Sequence, residues 1–256
     1  MIVTLLGFIA GILIGLTGTG GGVMLTPLLL IFTPFPAVVV IGTDIVNGAA
    51  TKLLGVIEHR RLGQVHWRLA GLLIAGSVPG TLGGMLFVSY LKSHLPMTQL
   101  DHVLRIVLAV ALFAVGLFLP FVRGGHIKVQ SQSTETKSRG QIIRLIAVGM
   151  GVGFLVALTS IGSGSLLMLF LLLLIPLPVA GLVGTDIAFS LVTMALAGTF
   201  HMWMGHFDGI LFLQLVTGSL PGVVLGSRLT GYLSEKRYGW LYSALYFTIA
   251  ARLVMR

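Results

Sequence analysis

The sequence predicts an all-α integral membrane protein made of two inverted repeats of four hydrophobic segments each. Three observations carry this. Hydrophobic residues are 56% of the chain and charged residues 9%, against roughly a quarter in soluble domains. Apolar runs near 20 residues recur, the length that crosses about 30 Å of hydrocarbon. The chain also aligns with itself, without a gap, at an offset of 142 residues.

Eight apolar runs follow one another: 2–32, 37–57, 69–91, 102–121, 142–175, 179–200, 209–233 and 239–255. Residues 1–121 form the first repeat and 142–256 the second. Between them, 122–141 is rich in Ser, Gln and Lys and reads as a flexible cytoplasmic linker. The N-terminal run lacks a basic leader and reads as a membrane segment rather than a cleaved signal.

The first and fifth runs are unusual. Residues 2–32 as one helix would reach about 46 Å, too long for an upright crossing. Gly18, Gly20, Gly21 and Gly22 interrupt it. The run is therefore either one interrupted crossing or a re-entrant hairpin, and such backbone is tolerated only inside protein or beside a water-filled cavity.

From Gly7 to Leu91, about a third of positions match their partners 142 residues on. Leu16-Thr17 meets Leu158-Thr159, Gly42-Thr43-Asp44-Ile45 meets Gly184-Thr185-Asp186-Ile187, and Pro79-Gly80 meets Pro221-Gly222. The loop after the second run holds Arg60, Arg61 and Arg68, whereas its partner, 201–208, has no Lys or Arg. Basic residues favour the cytoplasmic side, so equivalent loops of opposite character place the repeats in opposite orientations. Eight simple crossings with parallel units is the rival.

The net charge of +9 does not indicate nucleic acid, because the basic residues sit in short breaks between apolar runs. With no cysteine, disulfides and thiolate chemistry are excluded. No nucleophile elbow, His-x-x-x-His or paired acids at helical spacing occurs, so neither an enzyme nor a metal or cofactor site is expected; His201, His206 and Asp208 share a loop at a spacing that argues weakly for metal.

Two glycine- and hydroxyl-rich breaks are the candidate substrate site: Thr17, Gly18, Thr19, Gly20, Gly21 and Gly22, and Thr159, Ser160, Gly162, Ser163, Gly164 and Ser165. A helix restarting after such a break directs free N–H groups and partial positive charge at the gap. Two such ends meeting near the midplane would hold a small oxyanion without buried cations. The alternative is close packing of helices through small residues.

Thr43, Asp44 and Asn47, with Thr185, Asp186 and Ser190, form a second constellation. An acid within an apolar run is by default functional. It either handles protons or caps a helix restarting at Gly-Thr-Asp. Lys52 either snorkels to a near end or attracts substrate. His59 and His201 read as loop residues, either solvated and capping or gating. Pro79 and Pro221 imply kinks, static or hinged.

The Gly/Thr/Ser break, the Pro-x-Pro then Gly-Thr-Asp segment, the later Pro-Gly, the basic linker and their duplication together resemble the TauE/SafE (sulfite exporter) family. The resemblance covers nearly the whole chain. It implies a bacterial or archaeal cytoplasmic-membrane permease that moves small sulfur-containing or organic anions, such as sulfite or sulfoacetate, often outward. The expected partners are that anion and the lipid bilayer, with a proton as coupling ion and a homo-oligomeric assembly left open. The expected mechanism is alternating access by a secondary transporter, and a passive anion channel is the alternative.

Overall fold

The structure, a computed structural model, describes residues 2–17, 23–123, 139–162, 164–175, 177–229 and 246–253. All regular structure among them is helical: α1 (Ile2–Thr17), α2 (Leu25–Phe32), α3 (Ala37–Arg61), α4 (Trp67–His94), α5 (Met97–Arg123), α6 (Arg139–Thr159), α7 (Leu166–Leu174), α8 (Val179–Trp203) and α9 (Gly209–Leu229). A further helical stretch covers 246–253. Among the described residues, five helices, α3, α4, α5, α6 and α8, are long and apolar enough to cross a membrane. Large apolar side chains such as Leu86, Val110, Ile143 and Ile210 point outward, as lipid-facing residues do.

Each of the two long runs divides into a long and a short helix, α1 with α2 and α6 with α7. Packing between the repeats is reciprocal. Helix α1 packs on α9 and α4 on α6, and α3 lies against its own counterpart, α8. A side chain at Gly76 would strike the carbonyl of Ile146, and one at Gly80 that of Met150. Gly218 and Gly222 stand in the same relation to Thr4 and Phe8, each residue 142 positions from its equivalent. Glycine is required at these contacts because backbone meets backbone there.

The contacts also fix helix direction. Gly76 and Gly80 advance along α4 as Ile146 and Met150 advance along α6, so these two run parallel; α1 and α9 do likewise. In contrast, α3 and α8 run antiparallel: Gly42 faces His201, Gly48 faces Met194 and Gly55 faces Ile187. Helix α9 follows the direction of α3, with Asp208 bonded to Thr43 and Ser219 to Asn47. Helix α2 runs against α3: Thr26 bonds Asp44, and Arg105 and Asp101 tie the end of α2 to the start of α3. Helices α1 and α2 therefore run in opposite directions, as the arms of a hairpin do and the halves of an interrupted straight helix do not.

Helices α3 and α8 end alike. Gly63 (φ 66°) and Gly205 (φ 75°) take the left-handed conformation. Gln64 N–H bonds to His59 O and Gly63 N–H to Arg60 O, while His206 bonds to His201 and Gly205 to Met202. This pattern satisfies carbonyls that a helix end leaves open. It also corrects the placement of His59 and His201 as loop residues: both lie in the last helical turn.

Candidate functional site

In the second half the break is built from a strained backbone. Ser160 (φ 62°), Gly162 (φ 133°) and Gly164 (φ 91°) all have positive φ. Two of the three positions are glycine, which takes this conformation freely. Thr159 stabilises the turn by donating to Leu155 O at 2.7 Å and accepting from Ile161 N–H at 3.1 Å. Ser160 has no such licence, and its left-handed backbone costs roughly 1–2 kcal/mol. That strain aims its hydroxyl at Asp44 Oδ2, 2.9 Å away in the other half.

The same oxygen accepts from Thr26 Oγ1, in the first turn of α2. Asn47, one turn further along α3, also lies against this carboxylate. The start of α2 and the break after α6 thus meet at one carboxylate. Asp186 lies at the mirrored place on α8: Gly164 N–H donates to its Oδ1 at 3.0 Å, and Lys52 Nζ stands 3.7 Å from its Oδ2. Ser190 lies beside it. The amide end that leads into α7 therefore already faces an anion supplied by the chain itself.

Several sequence expectations change here. Asp44 and Asp186 do not open a restarted helix, because α3 and α8 begin seven residues earlier, at Ala37 and Val179, and pass through them unbroken. Lys52 does not snorkel. It is 9% exposed and turns inward to Asp186, since α3 packs that face on α8. A centre without buried cations is therefore overturned: it holds two acids and one base. Position 194, the repeat partner of Lys52, is a buried methionine, so the base has no twin.

Thr43 and Thr185 hold the ends of the bundle together. Thr43 Oγ1 accepts from Asp208 N–H at 3.1 Å, and Thr185 Oγ1 from His66 N–H at 3.2 Å. Asn47 Oδ1 accepts from Ser219 at 3.3 Å. The Ser165 hydroxyl is buried with no hydrogen-bond partner among the described residues, and the buried Ser190 hydroxyl faces the Asp186 carboxylate. His59 Nδ1 bonds Gln64 Oε1 at 2.7 Å at one helix end, and His201 is buried with its Nε2 donating to Ala157 O at 3.0 Å. Gly18, Thr19, Gly20, Gly21, Gly22 and Ser163 lie outside the described residues, as does the side chain of Thr17.

Sequence reasoning missed Thr26, whose only signal is a hydroxyl in an apolar helix shortly after a glycine cluster. It also missed the Lys92–His206 contact, in which Lys92 Nζ donates to His206 Nε2 and to Met204 O, each at 3.0 Å. Two cavities among the described residues lie at helix ends: one of about 330 Å³ beside Arg144 and Leu174, the other of about 260 Å³ beside Asp101 and Arg105. Neither is lined by Asp44 or Asp186, both of which are buried.

Compared with known families, residues 3–253 match the one described as sulfite exporter TauE/SafE. The chain belongs to the sulfite exporter TauE/SafE family. Among its relatives is the "Probable membrane transporter protein YjnA" of Bacillus subtilis (strain 168), 30% identical over 255 residues and 98% of both chains. A second is "Probable membrane transporter protein YdhB" of the same organism, 24% identical over 250 residues, 98% of this chain and 97% of that one. No solved structure matches. TauE/SafE membership, together with five apolar helices of spanning length, makes the chain a multi-pass membrane transporter. In this TauE/SafE chain the polar centre joins both halves and lies among helices of that length.

Proposed function

We propose that the protein is a secondary transporter that exports small sulfur-containing or organic anions, of which sulfite and sulfoacetate are examples, across a bacterial or archaeal cytoplasmic membrane. The observation that carries the reading is the cross-linking of the halves at buried charge. Ser160 of the second half bonds Asp44 of the first, and Lys52 of the first pairs with Asp186 of the second. Ionisable groups inside a membrane domain mark substrate and ion pathways.

The two units are inverted and rock about this centre, exposing it to each side in turn. The antiparallel course of the equivalent helices α3 and α8 supports inversion, because an axis that reverses a spanning helix lies in the membrane plane. The breaks Thr17–Gly22 and Thr159–Ser165 line the route, and Asp44 and Asp186 carry or balance protons. The burial of Asp44 and Asp186 favours a carrier over an open channel.

Reconstituted protein is tested for flux of sulfite, sulfoacetate, sulfate and chloride. Saturable, gradient-coupled movement of a sulfur-containing anion is expected. Conductance that grows linearly with voltage assigns a channel instead, and absence of flux or binding for every anion overturns the reading.

A further inference from the structure

We propose that the Lys52–Asp186 pair is an exchange element: an anionic group of the substrate replaces Asp186 at the Lys52 ammonium, and the freed carboxylate takes up a proton. This rests on the anion-transport reading above and names how that site couples substrate to protons.

The geometry points this way. Lys52 and Asp186 come from different halves, so relative movement of the units alters their separation. At 3.7 Å the pair is looser than a direct charge-assisted hydrogen bond of about 2.7–2.9 Å. The carboxylate is held from its other oxygen by Gly164 N–H, in the turn that leads into α7, and stays in place when Lys52 leaves. The base also breaks the internal symmetry, its counterpart being Met194, so the site has one cationic anchor rather than two.

No other described group near Asp186 takes the place of Lys52. On α3 the remaining inner acid, Asp44, is engaged by Thr26 and Ser160. His66, before α4, packs on Gly181 and has its backbone N–H on Thr185. Helix α7 carries no titratable residue, and Arg144 lies near the start of α6, far from the break at its other end. His201 is bonded to Ala157.

The step balances. Substrate anion, proton and the paired Asp186–Lys52 become substrate paired with Lys52 and a neutral Asp186 acid. The local charge is unchanged, which avoids leaving an isolated carboxylate in a low-dielectric interior. On the far side, anion and proton leave together and the pair re-forms.

The test uses full-length protein in liposomes, external sulfoacetate (ionised near neutral pH) and an entrapped pH dye. Wild type is expected to take up sulfoacetate and acidify the lumen. Asp186→Asn is expected to carry fewer protons into the lumen per sulfoacetate taken up than wild type does. Removing a single charge can prevent folding, so the paired variant Lys52→Met with Asp186→Asn supplies a neutral, volume-matched centre. Its sulfoacetate affinity is expected to fall about tenfold or more, the effect of losing one charge-assisted contact. Lys52→Arg is expected to retain binding.

A wild-type number of protons per sulfoacetate in Asp186→Asn, or wild-type affinity in the paired variant, overturns the exchange. Wild-type uptake without acidification overturns it while leaving anion transport standing. A wild type that neither binds nor moves sulfoacetate or any other anion removes both.

Discussion

Ser160 Oγ donates to Asp44 Oδ2 at 2.9 Å, across 116 residues of sequence and from one half of the molecule to the other. The contact requires a left-handed serine in a turn where the neighbouring positive-φ residues are glycines. Backbone strain of this kind persists where surrounding contacts overdetermine it.

Ser160→Ala and Ser160→Gly separate the two contributions. Alanine loses the hydrogen bond to a charged acceptor, roughly 1.5–3 kcal/mol, and keeps the backbone strain. Glycine loses the same bond and relieves the strain, by about 1 kcal/mol. Both variants should melt below wild type in detergent, with alanine the lower. Equal melting temperatures for the two would mean that the φ of Ser160 carries no strain.

Glycine contacts between repeats predict a pair of matched failures. A methyl at Gly76 meets the Ile146 carbonyl, and one at Gly218 meets that of Thr4. Backbone oxygen cannot rotate away, so Gly76→Ala and Gly218→Ala should each destabilise by about 1–3 kcal/mol or more. Gly71, on the same helix as Gly76, has nothing within 4 Å, so Gly71→Ala should be neutral or stabilising by up to about 1 kcal/mol. Thermal shifts of the three purified variants decide this.

Much of this architecture is legible in the residues. The 142-residue offset, the broken first and fifth runs and the Gly-Thr-Asp pair all follow from local composition. The choice of partner helices does not. Gly76 and Gly218 show that some backbone approaches closely, but a small residue carries no mark of which helix it admits. Lys52 shows a similar limit. Its distance from a helix end fits snorkelling, and only the packing of α3 on α8 turns it toward Asp186. Thr26 is illegible for another reason: a lone hydroxyl bonds its own helix as readily as a distant carboxylate.

His206 predicts a pH dependence. Burial, with His201 and Lys92 beside it, pushes its pKa from 6.5 down to about 4. Lys92 has only protons to give, so Nε2 accepts and the ring is neutral. Between these two values the unfolded chain binds the extra proton. The contribution is therefore complete above pH 6.5 and is lost as pH falls toward 4, with a slope of at most about 1.4 kcal/mol per pH unit. His206→Gln places at this site the residue found at position 64 and keeps an acceptor for Lys92. Melting temperatures across this range should depend on pH less steeply in the variant than in wild type.

Orientation of the repeats is open to direct chemical labelling, because the chain contains no cysteine. Arg61 and Trp203 are equivalent positions 142 residues apart, each exposed in the last turn of its helix. Helices α3 and α8 run antiparallel, so these ends point in opposite directions. In intact cells a membrane-impermeant maleimide should modify Trp203→Cys and spare Arg61→Cys, since arginine-rich loops face the cytoplasm. Permeabilising the cells should expose Arg61→Cys to the reagent. Labelling of both from outside, or of neither, would require a parallel arrangement of the units and would remove the in-plane axis on which the rocking mechanism depends.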